Sequence, residues 1–249
     1  EPQKGYRLPY FSGCDAFSPT LVEYLLRDNK IFHNCLYFRE TSSTQTVIKK
    51  LAQQDAPQGI VAVTDSQTEG RGRRGRVWQT PPGRNVTFSV LLRPHLKPGE
   101  VQLLNLAAGI AIRRAADACC KIKTELKWPN DVLVNNKKLC GILSEAAGEP
   151  DRIYYAVTGV GLNVNLTAED FGADIRDTAT SLLLETGGKV ARPALLASVL
   201  GEFADLIETL DAPGGAAELI RVYRRECDTL GRKVRVVQDN EEFTGEARD

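Results

Sequence analysis

The chain contains no methionine, only two histidines (His33 and His95), and no net charge, since 32 acidic residues balance 32 basic ones over 249 positions. Each shortage excludes something. With two imidazoles, and with cysteines at 14, 35, 119, 120, 140 and 227, the sequence offers neither a CxxC pair nor zinc-ligand spacing. The same spacing fits no small disulfide framework, so the six read as structural thiols of a reduced, cytoplasmic protein. A balanced charge gives no global field toward nucleic acid or membrane, and electrostatic recognition must be local. No apolar run approaches the roughly 20 residues of a membrane span, and no signal peptide opens the chain. The lack of even a first methionine leads to the expectation that the natural start is missing.

What remains is ordinary for a globular protein: 42% hydrophobic and 26% charged residues. Ser18-Pro19 reads as N-cap and first residue of a helix. Cys35 to Phe38 predicts a strand, and Ser43 opens a helix to about Gln54. The β-branched run Gly59 to Thr64 predicts a buried strand, and Asn85 to Leu92 another. Val101 to Cys119 is a long helix with Val101, Leu104, Ala108 and Ile112 on one face. Short strands follow at Thr124–Lys127, Val132–Val134 and Leu139–Ala146, around an Asn135-Asn136 turn. A strand over Ile153–Val164 precedes helices at Pro193–Leu210 and Ala216–Cys227. Lys233–Val237 and Glu242–Gly245 then read as the opening strands of a small β module.

Two stretches carry chemistry. Gly70 to Arg76 packs four arginines among three glycines. Glycine permits close backbone approach, and arginine brings a permanent charge in a planar fork suited to phosphate or carboxylate. The Gly70-x-Gly72-x-x-Gly75 pattern matches the dinucleotide fingerprint only formally. That fingerprint needs a helix to open at the third glycine, whereas Arg-Val-Trp-Gln-Thr-Pro-Pro-Gly follows here. A solvated basic loop and an anion-closing lid are the remaining readings. The second stretch, Lys127-Trp-Pro-Asn-Asp131, can be a plain β-turn with Trp128 in the core. Its company argues otherwise: Lys137-Lys138 before Gly141, Gly159-x-Gly161-x-Asn163 at a strand end, and the Ser43-Thr44 hydroxyls at a helix start.

Ser43-Thr44-Gln45, Gln67 with Gly70–Trp78, Lys127–Asp131, Lys138–Leu143 and Gly159–Asn163 together resemble the motif set of biotin protein ligases, in order and in spacing. Gln45 stands where that family usually has asparagine. The resemblance runs from about Cys35 to Asn165 and extends weakly to Gly245. It implies an α+β fold: a mixed sheet flanked by helices, like the catalytic domain of class II aminoacyl-tRNA synthetases, over residues 9–228. Residues 229–249 would begin an SH3-like barrel, and residues 1–8, through Gly5-Tyr-Arg-Leu8, would be the remnant of an upstream winged-helix domain. DNA would be a partner only through that missing domain, where the full protein would repress biotin genes.

The implied reaction joins biotin to the α-phosphorus of ATP, giving biotinyl-5′-AMP, and then passes biotin to a lysine of a biotin carboxyl carrier protein. Ser43, Thr44, Gln67, Gly70 and Gly72 would hold the fused rings of biotin. Arg71 and Arg73 would order over the adenylate, Arg74 would meet the nucleotide, and Lys138, beside Gly141, would bridge carboxylate and phosphate. Trp78 would close over adenine. Lys127, Asn130, Asp131 and Asn163 would surround the triphosphate, with Asp131 steering the incoming ammonium. No metal site is expected from protein groups alone, and Mg²⁺ would arrive with ATP near Asn163. A homodimer is a further implication. The segment from Thr68 to Arg84 is expected to be mobile without ligand. A lipoate ligase or octanoyl transferase of the same fold is the nearest alternative, and a phosphate-binding nucleic-acid regulator using Arg71–Arg76 the next.

Overall fold

The computed structural model describes residues 17–238 and 241–248. Cys14 and the Gly5–Leu8 piece fall outside the described residues. Seven strands make one mixed sheet: β1 (Asn34–Phe38), β2 (Ile60–Thr64), β3 (Val86–Leu92), β4 (Glu125–Lys127), β5 (Asp131–Val134), β6 (Lys137–Glu149) and β7 (Arg152–Leu162). Their order is β1-β2-β3-β7-β6-β5-β4. The β1–β2 pair is parallel and has the long crossover connection that a parallel pair needs; the other neighbours are antiparallel.

Six helices accompany the sheet: α1 (Pro19–Leu25), α2 (Thr44–Gln53), α3 (Gln102–Cys120), α4 (Leu182–Thr186), α5 (Arg192–Asp211) and α6 (Gly215–Glu226). Ser18 caps α1 by accepting from the Leu21 N–H. Asn135 and Asn136 both take positive φ, the geometry of a type I′ turn, and join β5 to β6 as a tight hairpin. A second small sheet pairs β8 (Lys233–Gln238) with β9 (Glu241–Glu246).

The two faces of the large sheet have opposite chemistry because strand side chains alternate. One face carries Val86, Phe88, Val90, Val160, Leu162 and Ile142 against α3 and α5 in the main core. Truncating the fully buried Phe88 to alanine would cost about 3–5 kcal/mol. The other face is covered by α2 only at one end, where Ile48 and Ala52 pack on Ile60, Ala62, Leu91 and Val157. Beyond α2 the same face presents Ser89 and Thr87 on β3, Gly159 and Gly161 on β7, and Gly141 on β6. These lie in two cross-strand rows, Ser89–Gly159–Leu143 and Thr87–Gly161–Gly141. A sheet surface of glycines and hydroxyls is not a core. It is the floor of a cleft.

Candidate active site

The cleft encloses about 1610 Å³ above this floor. The first turn of α2 forms its polar end. Ser43 is the N-cap of α2, yet its hydroxyl makes no capping bond. The Thr44 N–H instead donates to Gln67 Oε1 at 2.9 Å, and the Thr44 hydroxyl reaches both that oxygen and Ser89 Oγ, the latter at 2.8 Å. Ser43, Thr44 and Ser89 are all buried. Gln67 is held close to Gly70, where a Cβ would come within 2.9 Å of Gln67 Nε2. Gln45 lies flat on Gly159, and its amide donates to the Leu143 carbonyl at 2.8 Å. The result is a compact, fixed set of donors and acceptors suited to a neutral polar group.

The arginine loop folds back over the cleft. The Trp78 N–H donates to the Gly70 carbonyl and the Gly72 N–H to the Arg76 carbonyl, closing a narrow hairpin. At its tip Arg73–Gly75 makes one 3-10 turn, with Arg74 at φ 57°. No α-helix opens at Gly75, as expected from the residues after it. Arg71, Arg74 and Arg76 are exposed. Arg71 meets Glu69 only at 3.9 Å across open surface, a pairing of little energetic weight. Arg73 alone reaches across, donating to Asn130 Oδ1 at 3.0 Å. Asn130 is fixed in turn, for its own amide donates to the Ile142 carbonyl at 2.8 Å.

Trp78 does not hang free over the cleft. Its indole is pressed on Gly161, where a Cβ would meet Trp78 Cε2 at 2.2 Å and Nε1 at 2.3 Å, and it extends to Gly141. Neither glycine has a positive φ; both are there for room. Lys138 Nζ lies 5.7 Å from the centre of the indole and 2.7 Å from Asp131 Oδ1. Asp131 Oδ1 is buried and has no aligned hydrogen-bond donor, so the ammonium supplies its neutralisation. Lys138 is also secured through its backbone: its N–H donates to the Thr178 carbonyl, and its carbonyl accepts from the Thr180 N–H.

Of the expected site residues, all but Gly70 line one cleft. Trp128, which the plain-turn reading put in the core, is exposed and lines the same cleft. Asn163 is buried, with its amide donating to the Thr180 carbonyl at 3.0 Å, while Oδ1 is approached by Asn85 only at 3.5 Å. Residues that the motifs did not single out also line the cleft: Thr87, Leu166, Phe171, Ile175 and Ala179. The last four form a separate small apolar cluster. Tyr223 of α6 also lines it, its hydroxyl pushed well above the usual tyrosine range by burial and by the neighbouring Cys227. Among the described residues no group of three His, Cys, Asp or Glu side chains could hold a metal ion, and no helix is long and apolar enough to cross a membrane.

Residues 37–163 match the family model described as the Biotin/lipoate A/B protein ligase family. Over 198 residues the chain is 37% identical to the bifunctional ligase/repressor BirA of Bacillus spizizenii, covering 80% of this chain and 60% of that protein. It is 34% identical to the biotin–[acetyl-CoA-carboxylase] ligase of Mycobacterium tuberculosis, covering 94% of this chain and 88% of that one. A solved structure of the Aquifex aeolicus biotin protein ligase, in complex with biotin and ATP, superposes with a TM-score of 0.73 at 29% identity, over 86% of this chain and 87% of that chain. The chain thus spans only three fifths of the Bacillus relative's length.

Proposed function

The chain belongs to the biotin/lipoate A/B protein ligase family, and from that premise we propose that it is an ATP-dependent biotin ligase. It joins biotin and ATP to give biotinyl-5′-AMP and pyrophosphate, then transfers biotin to a lysine of a biotin carboxyl carrier domain. The observation that carries this reading is the division of the cleft floor. Buried hydroxyls and Gln67 form a fixed polar end, and Lys138, Asp131 and the arginine loop form a charged end one row away.

A fused-ring urea is a neutral polar head that such an end satisfies. A lipoyl or octanoyl chain has no oxygen or nitrogen away from its carboxyl group with which to engage that end. The names of the relatives support the same choice, since those of the Bacillus and Mycobacterium proteins and of the Aquifex structure point to biotin or to ligase activity.

The chemistry joins two anions, so cationic clamping is the main requirement. Lys138 holds the carboxylate and α-phosphate oxygens, and each such charge-assisted bond contributes roughly 1.5–3 kcal/mol. When Lys138 turns to substrate it leaves Asp131, whose carboxylate is then available to the acceptor ammonium. Arg73, tied to Asn130, anchors the loop over the adenylate, with Gly70, Gly72, Arg71 and Arg74 around it. Trp78, seated on Gly161, walls the ligand, and the adenine contact implied by the resemblance stays part of the proposal. Lys127 stands at the mouth of the cleft for the triphosphate. Mg²⁺ would arrive with ATP and neutralise phosphate charge, and Asn163, which lines the cleft, would be the protein group to meet it.

The α+β body is read as akin to class II aminoacyl-tRNA synthetases, and β8–β9 as the first strands of an SH3-like barrel. Homodimerisation is part of the same proposal. So is repression in the full-length protein, which rests on the ligase/repressor name of the Bacillus relative.

Biotin-dependent exchange of labelled pyrophosphate into ATP tests the first step. Exchange with octanoate or lipoate but not biotin would reverse the choice of substrate.

A further inference from the structure

Folded proteins leave few buried polar atoms without a partner, and each one asks for a reason. Among the described residues four side-chain atoms are in this state: Trp78 Nε1, Thr80 Oγ1, Thr87 Oγ1 and Asp131 Oδ1. Three of the four residues, Trp78, Thr87 and Asp131, line the cleft. Asp131 has the Lys138 ammonium beside it. Trp78 Nε1 and Thr87 Oγ1 have no such relief.

These two orphans are neighbours. Thr87, 2% exposed, stands opposite Gly161 in the β3–β7 register. The indole lies across Gly161 and Gly141, with Nε1 at the Gly161 end and Cζ3 at the Gly141 end. One row along, the equivalent hydroxyl of Ser89 is bonded to Thr44. β3 therefore presents one hydroxyl that is satisfied within the protein and one that is not.

We propose that Thr87 is a further substrate-binding residue, its hydroxyl and the Trp78 indole N–H together donating to one oxygen of the bound acid. The indole N–H can only donate and a threonine hydroxyl can do so, so the shared atom is an acceptor. The row that holds Thr87 and Gly161 continues through Gly141, where a Cβ would lie 3.2 Å from Lys138 Nζ, to Asp131. That level of the cleft is where the carboxylate, or the acyl oxygen of its adenylate, lies under the proposed reaction. The inference rests on the reading of the cleft as an acid-activating site. It adds a neutral contact on the side of the oxygen away from Lys138.

An unpartnered hydroxyl has a signature that a structural one lacks. Its removal should leave the free protein no less stable, because only a buried, unsatisfied group is lost. Thr87→Val and Thr87→Ser are compared with wild type by the melting temperature of the free protein and by calorimetric titration with biotin. Thr87→Val is expected to melt at or above the wild-type temperature and to bind biotin about tenfold more weakly, the loss of one hydrogen bond. Thr87→Ser should bind close to wild type.

Unchanged affinity in a folded Thr87→Val protein would overturn the proposal. So would a lowered melting temperature with no rescue by serine. Should wild type bind octanoate and not biotin, the substrate reading fails by itself. The same comparison with octanoate, whose only oxygens are its carboxylate, then decides the role of Thr87.

Discussion

Lys138 Nζ sits 2.7 Å from Asp131 Oδ1, although the two residues are not cross-strand partners: Asp131 faces Gly141, and Lys138 faces Leu133. A register shift between Val132 and Leu133 brings them together. Bulges commonly re-aim a side chain in this way beside an active site. The ion pair gives the two residues separable roles in the proposed reaction. Lys138→Ala should lower biotin-dependent pyrophosphate exchange on the order of ten- to a hundredfold or more. Asp131→Asn should form adenylate normally but transfer it slowly. An Asp131→Asn protein with normal transfer to carrier would remove Asp131 from the second step.

Among the described residues, the tie between Arg73 and Asn130 is the one side-chain hydrogen bond that the loop arginines make across the cleft. Arg73→Ala should therefore loosen the loop while leaving Lys138 in place. The expected result is faster escape of biotinyl-adenylate, read as free biotin regenerated from consumed ATP without carrier. Retention equal to wild type would place the anchor elsewhere in the loop.

Gly161 tests the seat of the indole. A Cβ there would lie 2.2 Å from Trp78 Cε2, a distance that no rotamer adjustment of the methyl can relieve. Gly161→Ala should expel Trp78 from the floor, shift its fluorescence to the red, and raise the KM for biotin. Gly187, by contrast, has open space around the position of its Cβ. An unshifted spectrum in Gly161→Ala would show that the indole is not seated there in solution.

Burial and the nearby Glu23 carboxylate push the Cys35 thiol up to about 12, from an ordinary value of 9.0. A raised thiol keeps its proton in the folded state after the unfolded chain has lost it. Stability is therefore full below about pH 9 and falls as pH rises toward 12. Cys35→Ala should flatten the alkaline limb of a melting-temperature profile over that window. Among the described cysteines, labelling at pH 8 should modify exposed Cys119 first and leave Cys35 and Cys140 for last.

Much of this was legible from the residues. The β-branched runs at Ile60–Thr64 and Val86–Leu92, and the Ser18-Pro19 start, gave elements within a residue or two of those observed. The glycine-arginine loop was readable because Pro81-Pro82-Gly83 forbade the helix that a fingerprint needs. What escaped notice had no period to read. α4 is five residues long, and 166–181 is an irregular strap whose apolar residues reach the cleft only through tertiary contacts. β6 runs to Glu149 rather than Ala146, because hairpin pairing with β7 overrides the weak strand preference of Ala147 and Gly148. Thr87 was visible only as part of a strand. Its isolation depends on Gly161 and Trp78, which are distant in sequence.

The outer strand β4 is three residues long, and Asp228 accepts the Leu126 N–H at 3.0 Å while also receiving Arg113 at 2.7 Å. Cys227 makes a parallel bridge to Leu126 along the same border. An open border of a seven-stranded sheet is a template on which other chains can add strands. The segment after α6 occupies that template, so the residues that connect the large sheet to the β8–β9 hairpin also close this border to an added strand.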